Sequence, residues 1–287
     1  MPYLRQWGQW GSGDGDFRIP VGLCIYLEEV YVTEQFGHRV QVFDLQGTYK
    51  RKWGIGGFGD GEFQQAQGIA AYLNEIYITD YFLHRVQVFD LNGLYQRKWG
   101  TEGFANGQFE QPAGIATYND EVFVVDHSNH RVQVFDLDGA YQRKWGSNGN
   151  GNGQFSFPQA IAVYEDEVFV TDQQNARIQV FELDGTFKRK FGSFGPGDGE
   201  FISPLGISIQ NGAVLVAEAG NNRIQALTLT GTFADKFGKY GTGNGEFDGP
   251  WFLDNYKGEI FVVDCGNNRI QVINLAAPQH LPVMGIG

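Results

Sequence analysis

Across residues 109 to 145, short apolar stretches alternate with turn-forming clusters: AGIATY, then NDE, VFVVD, HSNH, RVQVF, DLDG and YQRKW. This predicts four strands of 4 to 6 residues joined by turns rich in Asn, Asp and Gly. VFVVD and RVQVF are apolar or β-branched at almost every position, as expected when both faces of a sheet are covered. No 10-residue window carries the 3.6-residue period of a helix, which excludes helical solenoids.

The pattern recurs at a fixed period. Arg39, Arg85, Arg131, Arg177, Arg223 and Arg269 stand 46 residues apart, each inside a near-copy of the phrase HRVQVF. Phe17, Phe63, Phe109, Phe155, Phe201 and Phe247 keep the same spacing at the ends of glycine-rich runs, so no insertion interrupts the repeat. A regular period of this length marks a repeat architecture, and four-stranded sheets packed face to face around an axis are the blades of a β-propeller. The expected fold is therefore all-β: a six-bladed propeller with four antiparallel strands per blade, built as one domain over residues 1–287.

Counting strands predicts how the ring closes. The first YxRKWG-type strand is LRQWG, residues 4 to 8, with Trp7 standing 46 residues before Trp53. Residues 4–8 are thus expected to complete the last blade. The C-terminal tail, 276–287, contains QHLPVMG in the same register, but Pro278 and Pro282 make it a poor ladder partner.

Composition narrows the picture further. Forty-one glycines, with 24 Phe, 13 Tyr and 6 Trp, fit many short strands and tight turns. No apolar run approaches the roughly 20 residues of a membrane helix, and MPYLRQWGQW lacks the apolar core of a signal peptide. A soluble, cytoplasmic monomer is expected. Cys24 and Cys265 occupy different places in their repeats, so neither a disulfide frame nor a zinc set is expected.

The stretch GQFEQPAGIATYNDEVFVVDHSNHRVQVFDLDG resembles the NHL repeat: Pro and Gly before the first strand, Asp five residues before the Arg, and Asn-His immediately before it. The resemblance spans the chain and implies a six-bladed propeller. The NHL family includes interaction modules of ubiquitin ligases and signalling receptors, some RNA-binding propellers and related lyases. No RING, B-box, coiled-coil or kinase segment occurs in the chain, so none of those activities is implied. Departures from the pattern include Glu218 for Asp in blade five and Trp251-Phe252 for the small residue-glycine pair in blade six.

Residues repeated in every blade are read as structural. Glu34 with Arg39, Asp80 with Arg85, Asp126 with Arg131, Asp172 with Arg177, Glu218 with Arg223 and Asp264 with Arg269 are expected to clamp the turn between the second and third strands. Asp14, Asp60, Asn106, Asn152, Asp198 and Asn244 each precede a Gly; this is turn chemistry rather than a calcium ring. His38, His84 and His130 share one repeat position. Strand spacing sets neighbouring copies on the order of 10 Å apart, too far for one zinc ion, so each is expected to pack its own turn. No metal or cofactor is expected.

Charge separates the two faces. Of 21 Lys and Arg, six are clamp arginines and twelve lie on outermost strands, leaving Arg18, Lys239 and Lys257. A phosphate-binding face needs clustered, unpaired basic residues, so nucleic acid is an unlikely partner. The face carrying EE at 28 to 29, DE at 120 to 121 and EDE at 165 to 167 reads as strongly acidic, suited to steering a basic protein.

Candidate binding residues lie where the copies differ, on the top face formed by the second-to-third-strand turns and the glycine-rich loops. They are Phe36, Tyr81, Phe82, His127, Gln67, Gln159, Gln173, Gln174 and Trp251. Phe36, Tyr81, Phe82 and Trp251 are expected as an aromatic arc around the channel mouth, pointing to a protein or peptide ligand. The alternative is a channel-mouth lyase or hydrolase using Asp254, His127 and Tyr81; Asp254 stands out because other blades place Ala, Ser or Cys there. RNA binding is the third reading.

Overall fold

The computed structural model describes residues 2 to 274. They form six antiparallel four-stranded sheets. In blade one, strand a is Pro20–Tyr26, strand b Glu29–Glu34, strand c Arg39–Asp44 and strand d Tyr49–Trp53. Strand a lines the axis and has 7 residues, longer than the sequence pattern suggests. Its pairing with strand b shifts between Pro20 and Leu23, so the Pro and Gly that read as a preceding turn lie within the strand as a bulge. Gly22 is needed at that bulge, because a Cβ there would lie 2.1 Å from the Gln67 carbonyl oxygen of the next blade.

Blade six closes the ring with strands from both ends of the described chain: Tyr3–Trp7 pairs with Arg269–Asn274, Trp7 opposite Ile270. The alternative closing segment, 276–287, lies outside the described residues.

The core sits between blades, where both faces of each sheet are covered. Phe17, at the end of its glycine-rich loop, is fully buried and packs 5.5 Å from Phe43; Trp7 of blade six meets the same ring at 5.8 Å. The other five loop phenylalanines are equally buried. Each ring contributes about 1.5–3 kcal/mol by burial, so the 46-residue period is a packing period. Among the described residues no helix is long and apolar enough to cross a membrane.

Candidate functional site

The top face is built by the repeated clamps, which reach further than the turn they were expected to hold. Asp126 is completely buried and accepts from Arg131 Nε (2.6 Å), Asn129, Gln133 and the Glu110 N–H. The Arg131 guanidinium turns its remaining donors to the carbonyls of Phe104, Ala105 and Gln108. Gln133 binds the Gln108 carbonyl and accepts the Gly107 N–H. Acid, Arg and Gln together pin the glycine-rich loop to its blade. The Gln is the third letter of RVQVF, and its role was hidden by the apolar residues around it. Burial pushes the carboxyls of Glu34, Asp80 and Asp126 above the usual range, against the opposing pull of these donors. Blade two departs from the pattern: Arg85 lies 3.7 Å from Asp80, its Nε has no partner, and Asp80 instead accepts the Gln65 N–H. The glycines following Asp14, Asp60 and their equivalents have positive φ, from 75° to 86°, in keeping with turn chemistry.

The histidines do not pack their own turns; they join one blade to the next. His84 Nδ1 accepts the Gln111 N–H at 3.1 Å, His130 Nδ1 accepts the Phe157 N–H at 3.1 Å, and His38 Nδ1 donates to the Gln64 carbonyl at 2.8 Å. Asn222 and Asn268 use Oδ1 in the same way, accepting from Gly249 and Ile19. All five have φ between 50° and 53°. His and Asn tolerate the left-handed region better than most residues, and each carries an acceptor that reaches the adjacent blade.

The channel mouth is asymmetric. The residue after each clamp acid is Gln35, Tyr81, His127 or Gln173 in blades one to four, but Ala219 or Cys265 in blades five and six. Tyr81 and Ser128 both donate to Gln111 Oε1, at 3.1 and 2.6 Å. The Tyr81 ring lies 5.5 Å from Phe82 and 5.9 Å from His127, which in turn lies 5.2 Å from Phe157. His127 is buried, and Nδ1 contacts the Pro158 carbonyl at 2.9 Å. A carbonyl only accepts, so Nδ1 carries the proton and Nε2 keeps a lone pair. Desolvation lowers its pKa, with a smaller contribution from His130, and the ring is neutral at pH 7.

The other candidates divide by burial. Phe36 and Phe82 are 57% and 53% exposed. Gln67 and Gln159 are buried; Gln67 Oε1 accepts from Gln35 at 2.6 Å. Gln173 donates to Ser203 Oγ, and the Gln174 N–H bonds the Ser156 carbonyl. Trp251 is partly buried against the core rather than grouped with Tyr81 and Phe82. Tyr81, Phe82 and His127 thus come together, Phe36 stands on the neighbouring blade, and Trp251 does not complete an arc with them. Phe157 and Gln111 were missed because they fall in the loop before strand a, where no repeated motif draws attention to them.

Below the mouth, a channel of about 260 Å³ is lined by the inner strands, mostly by Ile, Ala and Val. Asp254 faces it, accepting the Ile25 and Asn255 N–H groups and the Ser208 hydroxyl. Burial there raises its pKa to about 6, the hydrogen bonds opposing the shift. The neighbouring Cys24 thiol is pushed up by burial and by Asp254, which leaves it unreactive.

The opposite face carries less free charge than its sequence suggests. Glu29 is bound by Arg51 and Lys50, and the Arg51 contact holds its carboxyl down at about 2; Arg189 does the same for Glu167. Glu28 pairs with Lys257, while Asp120 and Asp166 accept from Tyr72 and Tyr118.

Six four-stranded blades around a narrow central channel, entered through a one-sided polar and aromatic mouth, define a six-bladed β-propeller. The chain belongs to the DUF5128 family of 6-bladed beta-propellers, whose model matches residues 16–101, 106–167 and 157–230. Among solved structures it is similar to a structural genomics protein from Bacteroides thetaiotaomicron VPI-5482 (16% identity, TM-score 0.73, covering 94% of this chain and 76% of that one). It is also similar to a catalytically inactive His-to-Ala form of virginiamycin B lyase from Staphylococcus aureus, solved with quinupristin (18%, TM-score 0.62, 90% and 85%). A third likeness is to a chain of the nidogen/laminin complex (16%, TM-score 0.60, 77% and 81%). No curated protein sequence matches significantly. At these identities the structural likenesses establish the fold alone.

Proposed function

We propose that this propeller is a protein- or peptide-binding module that uses its top face. The observation that carries the reading is the exposure of Phe36 and Phe82 on adjacent blades, beside Tyr81, on a face whose clamp arginines are all buried. Nucleic acid fits poorly, because those arginines are spent on buried acids and loop carbonyls. The test is a Phe36→Ser, Phe82→Ser double variant, chosen because both rings are exposed and their loss should spare the fold. It should melt with the native protein and fail to retain partners that the native propeller captures. Retention of every partner by a folded variant would refute the reading.

A second reading, a channel-mouth lyase or hydrolase, is supported by His127, whose neutral ring with a free Nε2 lone pair suits a general base beside Tyr81. The similarity to virginiamycin B lyase suggests quinupristin as a first substrate to try. Turnover that His127→Ala abolishes would favour this reading; absence of turnover would remove its main support.

A further inference from the structure

The joint between blades two and three groups Phe82 with side chains that the channel mouth does not use. Phe58 and Phe82, both exposed, line a depression of about 400 Å³ together with His84, Lys98 and Glu102. A ring nitrogen of His84 and one carboxylate oxygen each from Glu102 and Glu110 lie within 4.8 Å of one another. Among the described residues, neither carboxylate is held by a cation: Lys98 pairs with Asp60, and Arg85 is bonded to loop carbonyls.

The repeat supplies an internal control. One period earlier, the equivalent positions are Ser12, Phe36, Gly56 and Gln64. One period later they are Phe104, Ser128, Asn148 and Ser156. Among the described residues, only this joint combines two exposed rings with two carboxylates, and folding does not require the combination, since the other joints form without it. Two like charges this close repel, and a bound cation would relieve that repulsion.

The hydrogen bonding argues against a metal held by all three groups. Zinc in that position would need a lone pair on His84. Its Nδ1 lone pair is occupied by the Gln111 N–H, which leaves the proton of the neutral ring on Nε2. A long organic cation needs no such lone pair: its methylene stem packs on the phenylalanine rings and its head sits beside the carboxylates. The net charge of −12 favours a basic partner. We propose that this joint receives a Lys or Arg side chain of the peptide or protein bound by the top face, an inference that rests on the binding-module reading above.

The test is an NMR titration of the full chain with the acetylated, amidated pentapeptides Gly-Gly-Arg-Gly-Gly, Gly-Gly-Lys-Gly-Gly and Gly-Gly-Gln-Gly-Gly. One or both basic peptides should shift the amides around Phe82, His84 and Glu102, binding should weaken severalfold as salt rises from about 50 to 300 mM, and the Gln peptide should shift nothing. Glu102→Gln with Glu110→Gln should weaken binding by about tenfold or more; Glu102→Gln alone, at an exposed position, serves if the double variant unfolds. Basic peptides that leave these amides unmoved would overturn the proposal. So would zinc alone saturating the site at one ion per chain, with the glutamine variants abolishing it. If partners lost by the Phe36→Ser, Phe82→Ser variant are still bound in full by Glu102→Gln, Glu110→Gln, this inference falls and the binding-module reading stands.

Discussion

Arg5 and Glu259, 254 residues apart in sequence, meet in a two-pronged ion pair with contacts of 3.0 and 2.5 Å. The same guanidinium donates to the Leu45 carbonyl of blade one at 3.0 and 2.6 Å. Arg51, Arg97, Arg143 and Arg189 make the equivalent link between every pair of blades from one to five. The N-terminal strand therefore supplies the repeated inter-blade contact as well as the missing ladder.

Deleting residues 1–8 is expected to lower the melting temperature far more than deleting 278–287, because it removes the strand paired with Arg269–Asn274. Arg5→Ala should cost about 1–2 kcal/mol, since the pair is partly solvated but the link to Leu45 is also lost. Equal melting temperatures for the two truncations would contradict this closure.

Blade two makes an internal comparison for the clamp. Arg131→Ala leaves Asp126 buried without its counter-charge and should cost roughly 3–5 kcal/mol. Arg85→Ala should cost less, because Asp80 already lies 3.7 Å from its Arg and relies on backbone donors. Chemical denaturation of the two variants measures the order.

Ala176 occupies the position of the joining histidines and asparagines, at φ 51°, with no side-chain acceptor for the next blade. Ala176→Asn should relieve backbone strain and offer Oδ1 to the Ser203 N–H, raising stability by about 0.5–1.5 kcal/mol. Thermal melts check it; a lower melting temperature would show that the buried site has no room for the amide.

Asp254 should make stability depend on pH. Its folded pKa, about 6, lies above the ordinary value of 3.8, so the folded state binds the proton more tightly. That contribution is complete below about pH 4 and is lost as pH rises through 6, a change of about 2–3 kcal/mol. Asp254→Ala should therefore gain on the native protein between pH 4 and pH 8. A constant stability difference across that range would show that Asp254 titrates normally.

Blade number, strand order and closure were legible because a 46-residue period without insertions repeats each packing contact in the sequence. Exposure was less legible. Phe82 and Trp251 read alike as variable aromatics, yet one stands in solvent and the other leans on the core, because the difference arises from contacts between blades. The partnerships of Gln133 with Gly107 and of His84 with Gln111 were hidden because each spans about half a repeat and joins residues that share no motif. The acidic turns misled in the other direction, since the arginines that neutralise Glu29 and Glu167 come from the outermost strands.

The strand Tyr3–Trp7 also has a consequence for biosynthesis. It is translated ahead of every other strand of the ring, and its partner, Arg269–Asn274, after all of them. At about 5–20 residues per second, it waits on the order of tens of seconds without a ladder to join. Neighbouring nascent chains on one message carry the same unclaimed strand and the same open sixth blade. Self-closure competes with exchange between chains, and local chain concentration sets the proportion of strand-swapped rings.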